Sequence, residues 1–133
     1  MMKEGLIFTL ILVAVDYIWI GILMKNFYVM ELGNMARLKG GVFSPHILAV
    51  LAVYVALFVL ASFFLLPQIT GLGIMKSALI AFVFGLGIYA VYDFTNLAVL
   101  SSWSMRFVIV DIIWGGVLMA IVTIITKYFR LIN

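Results

Sequence analysis

Tyr89-Ala90-Val91-Tyr92-Asp93-Phe94-Thr95-Asn96 sets an acid and its polar companions deep inside a long apolar segment. A charged side chain in a bilayer core costs roughly 2.5–3.5 kcal/mol on insertion scales, so an acid kept there points to a function. At about 100° per residue of α-helix, Tyr89, Tyr92, Asp93 and Asn96 fall on one side, with Gly85 one turn earlier on the same stripe. Thr95 points elsewhere. The stretch therefore reads as one polar wall inside a membrane helix.

Composition supports that setting. Of 133 residues, 68% are hydrophobic and 10% charged, whereas soluble domains hold about 45–50% apolar and about 25% charged residues. A soluble domain of this length could not hide so much apolar surface. The chain has no cysteine, which excludes disulfides, thiolate metal sites and thiol nucleophiles. Its net charge of +3 comes from Lys and Arg at segment ends, a membrane-flank pattern with no basic stripe for nucleic acid.

Working outward, hydropathy predicts one all-α membrane domain of four transmembrane helices, at about 5–24, 45–66, 76–100 and 105–128. The first span is broken only by Asp16, and no small-residue cleavage site follows it, so it is expected to stay in the mature protein. In the first connection Tyr28, Leu32 and Met35 repeat at helical spacing opposite Glu31, Asn34 and Arg37. That predicts a short amphipathic helix at the interface, over about 27–39 and stopped by Gly40-Gly41. Ser44 as N-cap and Pro45 at the first helical position open the second span, and Pro67 is expected to stop it. Ser101 to Ser104 form a tight turn before the fourth span.

Depth connects the spans. Four crossings alternate in direction, so the ends of spans one and three share a membrane face with the starts of spans two and four. Asp16 lies eight residues before Met24, Asp93 seven before Leu100 and Asp111 six after Met105. At 1.5 Å per residue each acid is roughly 9–12 Å deep, in one layer. His46 belongs to the same side, nearer the surface. No Lys or Arg falls in the interior of any span, so three clustered carboxylates cannot all be ionised without an outside counter-charge. They are expected to hold protons, bind a cation, or both. Tyr89, Tyr92 and Asn96 are placed to donate to them or to complete the coordination of a ligand.

Two of the acids share a pattern, Asp16-x-x-Trp19 and Asp111-x-x-Trp114, which sets an aromatic wall one turn from each carboxylate. Spans one and four run in opposite directions, so a duplication behind the pattern would be of the inverted kind found in transporters. Asp16, Asp93, Asp111 and His46 together also form a possible oxygen-and-imidazole set for a divalent cation, although no metal-ligand spacing occurs within one segment.

The motifs Asp16-x-x-Trp19-x-Gly21, Phe27-Tyr28 with Leu32-Gly33, Tyr92-Asp93-x-Thr95-Asn96-Leu97 and Asp111-x-x-Trp114-Gly115 span the chain. In them it resembles the small bacterial four-helix membrane proteins grouped as domain-of-unknown-function family 2177. That resemblance implies a multi-pass protein of the bacterial inner membrane and carries no activity. Small multidrug transporters are similar in size and helix count and use an acid in the first span, but their other signature residues do not occur here.

The expected function is proton- or cation-coupled binding or transport of a small cationic or polar solute, with no cofactor, through an acidic, aromatic-walled cavity opening toward the loop-one face. Asp93 is the expected carrier, with Asp16 and Asp111 as partners and Tyr89, Tyr92, Asn96, Trp19, Trp114 and His46 around them. Four helices seldom enclose a path alone, so a homodimer is expected. The alternatives are a membrane-embedded enzyme acting on a lipid or isoprenoid head group, with the carboxylates as acid and base, and a non-catalytic accessory subunit. Lys3, Lys76, Lys127 and Arg130 flank one face and Lys25, Arg37, Lys39 and Arg106 the other, so the charge bias sets no orientation.

Overall fold

Four helices are long and apolar enough to cross a membrane: Met2–Leu23, Ile47–Ile69, Ile74–Val99 and Met105–Tyr128. The computed structural model describes residues 2–132. It is an all-α membrane bundle. The first span is α1 (Met2–Tyr17) continued by a π-helical turn, Ile18–Leu23, in which each turn holds an extra residue. Its last bond runs from the Met24 N–H to the Trp19 carbonyl at 2.7 Å. The chain then turns into α2 (Lys25–Leu32).

Loop one is more structured than its amphipathic spacing suggests. The helix ends at Leu32, because Gly33 takes a φ of +52° that helical residues do not adopt. A short hairpin follows, β1 (Leu38–Lys39) against β2 (Val42–Phe43), with Leu38 opposite Phe43. Gly40 and Gly41 both have positive φ, as a two-residue hairpin turn requires, so they reverse a strand pair rather than stop a helix.

The second span comprises α3 (Ile47–Leu60), a π-helical turn (Ala61–Leu65) and α4 (Leu66–Ile69). Ser44 and Pro45 lie outside it. His46 is the N-cap, and its ring Nδ1 accepts the Ala49 N–H at 3.3 Å. The helix passes Pro67 instead of stopping there. In the turn before it the Leu66 N–H bonds to the Ala61 carbonyl, and that wider register absorbs the missing proline donor. The third and fourth spans are α5 (Ile74–Val99) and α6 (Met105–Tyr128). Ser104 caps α6 by accepting the Phe107 N–H at 3.2 Å.

Helix α6 is the hub. Half of its most apolar stretch is buried, against 17–22% in the other spans, so those present most of their apolar surface to lipid. Apolar lipid tails give helices no hydrophobic reason to associate, and close packing at small residues takes over. Gly85 sits so tightly on α6 that a Cβ there would lie 2.1 Å from the Gly115 carbonyl oxygen. Gly5 is equally close to the second span, where a Cβ would meet Ser62 Oγ at 1.9 Å.

The second span is joined unevenly to this core. No side chain from Ile47 to Ala56 is buried, whereas Leu57, Ala61, Ser62, Leu65, Leu66 and Ile69 are. Its contacts with α5 concentrate in Ala61–Ile69. The bundle is thus closed at the end holding Gly5 and Ile69 and splayed at the end holding the acids.

Candidate functional site

The splay leaves a cavity of about 390 Å³ beside α1, α2, α3, α5 and α6. Its polar wall consists of two carboxylates, Asp16 and Asp111, and four phenols, Tyr28, Tyr54, Tyr89 and Tyr92; every other lining residue is apolar. Each polar group is delivered by a local feature. Tyr89 lies over Gly115, where a Cβ would come within 2.3 Å of the ring, so the glycine makes the space that lets the phenol stand at the wall. Tyr28 arrives on the apolar face of α2, seated edge-on against Phe107 with ring centroids 5.1 Å apart. Tyr54 is the polar member of an otherwise apolar stretch of α3.

The two Asp-x-x-Trp motifs interlock crosswise. Asp16 Oδ1 accepts the indole N–H of Trp114 at 2.9 Å, and its Oδ2 accepts the hydroxyl of Tyr54 at 2.9 Å. Asp111 Oδ1 accepts the Tyr28 hydroxyl at 2.6 Å, and that hydroxyl accepts the Trp19 indole N–H at 3.2 Å. The indoles of Trp19 and Trp114 stack at 4.2 Å and 7° between them. Each acid therefore takes its indole from the other motif, directly in one case and through Tyr28 in the other. Antiparallel helices explain the exchange, since a step toward the Trp on one helix is a step toward the Asp on its neighbour.

Asp93 is placed differently from its expected role as carrier. It is fully buried beside Asp111 and the indole of Trp103, off the cavity wall. Neither of its oxygens nor Trp103 Nε1 closes a hydrogen bond of normal geometry. Helical phase separates them: at about 100° per residue Asp93 falls furthest from Gly85 among Tyr89, Tyr92, Asp93 and Asn96, about 80° away and on the side opposite Tyr92, and it is Tyr89 and Tyr92 that line the cavity. Asn96 stands by the Tyr92 phenol, also off the cavity wall. His46 is exposed and occupied as the helix cap. Among the described residues no three His, Asp or Glu side chains converge to hold a metal ion, so the possible Asp/Asp/Asp/His set is not assembled.

The expected mouth on the loop-one face is covered. Tyr28 and Leu32 of α2 and Phe43 of the hairpin line the cavity from that side. The cover is fastened to α6: Ser104 Oγ donates to Glu31 Oε2, and Arg106 Nη1 lies 3.4 Å from Glu31 Oε1. Glu31 and Tyr28 lie three residues apart on one face of α2, so a single helix surface makes both attachments. Burial first, and then the charge of Asp111, push the Tyr28 phenol above its ordinary range. It therefore stays a donor.

Sequence reasoning passed over Tyr28 and Tyr54 as site residues. Tyr28 was legible as part of an apolar stripe and of the Phe27-Tyr28 motif, and its signal as a site residue was a hydroxyl on the buried face of an amphipathic helix. Tyr54 offered a phenol one helical step from mid-span, with nothing in the chain to say that Asp16 would be its partner.

The family described as "Predicted membrane protein (DUF2177)" matches residues 1–128. The chain belongs to that family. The match runs through all four spans of this DUF2177 protein, so the cavity, its cover and both Asp-x-x-Trp motifs lie within the shared region. No curated protein and no solved structure matches the chain.

Proposed function

We propose that this DUF2177 protein binds a small cationic solute within the membrane in exchange for protons and moves it across. The reading rests on the make-up of the cavity wall, in which Asp16 and Asp111 are the charged groups, four tyrosines stand beside them and the remainder is apolar. The chain places no Lys or Arg at that depth, so a cationic solute supplies the counter-charge that the carboxylates lack. Aromatic faces add about 0.5–2 kcal/mol of cation attraction where water is excluded. A volume of about 390 Å³ suits a small ligand, near the lower end of the roughly 300–1,000 Å³ of such pockets.

Coupling follows from competition. A carboxylate that holds a proton cannot neutralise a cation, so loading one displaces the other. Asp111 is the hinge of this exchange because it faces the cavity and also touches Asp93, which takes the part of its proton partner. In this reading two copies of the chain form the full path, in the cytoplasmic membrane of a bacterium.

Tetramethylammonium binding to purified protein in phosphatidylcholine nanodiscs, followed by calorimetry, tests the site. Affinity is expected to rise with pH, and proton release to accompany binding. Asp16→Asn and Asp111→Asn are each expected to weaken binding roughly tenfold or more, which is about 1.4 kcal/mol. Binding that is independent of pH and unchanged in both variants would overturn the reading.

A further inference from the structure

The cavity is lined on its loop-one side by α2 and the hairpin, and its edges on α3 and α5 carry exposed residues. Toward the loop-one face it meets Tyr28, Leu32 and Phe43, and the helix carrying the first two is held down by Glu31 through Ser104 and Arg106. Toward the bilayer it meets the gap between α3 and α5. On α3 nothing before Leu57 is buried, and Val53, a lining residue, is 56% exposed. On α5 the lining residue Tyr92 is 55% exposed. One polar tie crosses from this half of α3 to the core, the hydroxyl of Tyr54 on Asp16.

A gap of this kind is stable in a membrane for a physical reason. Lipid tails solvate the apolar faces of α3 and α5 as well as another helix would, so nothing drives the two faces together. In a bilayer such a gap is solvated by lipid chains. Its edges, Val50, Val53, Leu57 and Ile88, are aliphatic, and they lead inward to a wall with two carboxylates. Polarity therefore changes along a single direction, from hydrocarbon at the opening to anionic at the back.

We infer that the ligand reaches the site from the bilayer plane and is a single-chain amphiphile with a cationic amine or quaternary ammonium head, the head at Asp16 and Asp111 and the chain in the gap between α3 and α5. This rests on the cation site proposed above and adds its substrate class and its route. The charge of the wall selects the head. With the head at the carboxylates, the aliphatic edges Val50, Val53, Leu57 and Ile88 lead the chain outward into lipid. The Tyr54 hydroxyl shares Asp16 with the incoming head and is displaced or joined as it seats.

The test compares tetramethylammonium with dodecyltrimethylammonium in nanodiscs of phosphatidylcholine, the long-chain ligand being expressed as its mole fraction in the bilayer so that partitioning is removed. The long-chain ligand is expected to saturate the parent protein and to lose at least roughly tenfold in affinity in the Asp16→Asn, Asp111→Asn double variant. Val53→Trp, which narrows the gap from a lipid-facing position, is expected to weaken the long-chain ligand roughly tenfold more than it weakens tetramethylammonium. Ile88→Phe, on the opposite edge, repeats the test should Val53→Trp fail to fold. If both ligands respond alike to the gap variants, or the long-chain ligand is insensitive to the acids, the bilayer route is wrong while the cation site stands on tetramethylammonium alone. If neither ligand binds the parent protein, the cation site itself is wrong and this inference falls with it.

Discussion

Asp16 and Asp111 are held by different means from Asp93, and the difference sets what each substitution does. The first two carboxylates accept hydrogen bonds from Trp114, Tyr54 and Tyr28. The third is fully buried beside Asp111 and the Trp103 indole, and neither of its oxygens closes a hydrogen bond of normal geometry. An unsatisfied buried polar group costs about 1–3 kcal/mol, so replacing it by an apolar residue of similar size removes a penalty. Asp93→Leu is therefore expected to leave the fold intact and raise its resistance to unfolding by about 1 kcal/mol, read as a shifted midpoint in an SDS titration, while abolishing proton release on cation binding. A loss of stability instead would show that Asp93 makes a structural bond. Tyr28 gives a second expectation at this scale. Its phenol lies above the ordinary 10.0, through burial first and then the charge of Asp111. In the unfolded chain it ionises near pH 10, so above that pH the unfolded state binds fewer protons than the folded one and stability falls as pH rises. Below pH 10 the contribution is complete. Stability followed across the alkaline range in parent and Tyr28→Phe is expected to show a steeper decline in the parent; equal slopes would contradict the assignment.

At the scale of elements, the α5–α6 contact and the docking of α2 do most to shape the site. The glycines Gly85 and Gly115 let the two helices touch at backbone distance, and Gly115 also admits the Tyr89 ring. An added methyl at either position meets backbone or ring within 2.1–2.3 Å, and overpacking of this kind costs typically about 1–3 kcal/mol. Gly115→Ala is expected to lower the SDS unfolding midpoint by that amount and, because Tyr89 moves, to weaken cation binding as well. Gly87→Ala, which meets nothing nearby, is the control and is expected to change neither. The spans themselves were legible as long apolar runs, because lipid demands that every backbone group be bonded within its own helix. The details inside them were not. Pro67 was expected to end the second span, yet a π-helical turn carries the helix through it; Gly40-Gly41 marked a break, but whether a helix or a strand precedes a glycine pair depends on what covers it.

For the whole molecule the unequal closure of the bundle is the main result. The half containing Gly5, Ser62, Ala61 and Ile69 is packed by small residues, whereas the half containing the acids is splayed around a cavity. Backbone bonds with few buried contacts around them open at lower free energy. Amide hydrogen exchange in nanodiscs is expected to proceed faster in Ile47–Ala56 than in Ala61–Ile69, although both belong to one span, and saturation with dodecyltrimethylammonium is expected to slow the faster half. Uniform exchange along the second span would contradict the splay. The sequence by itself determined four apolar helices, their alternating direction and the common depth of Asp16, Asp93 and Asp111, because hydropathy and helical rise are properties of each segment alone. The partners were decided by tertiary structure: that Asp16 bonds Trp114 and Tyr54, that Tyr28 bridges Trp19 to Asp111, and that Asp93 turns away from the cavity. Such pairings depend on the rotation and separation of helices, and between apolar faces in lipid those are set by a few glycines and hydroxyls that no hydropathy pattern records. The same cause leaves the lining residues Val53 and Tyr92 more than half exposed.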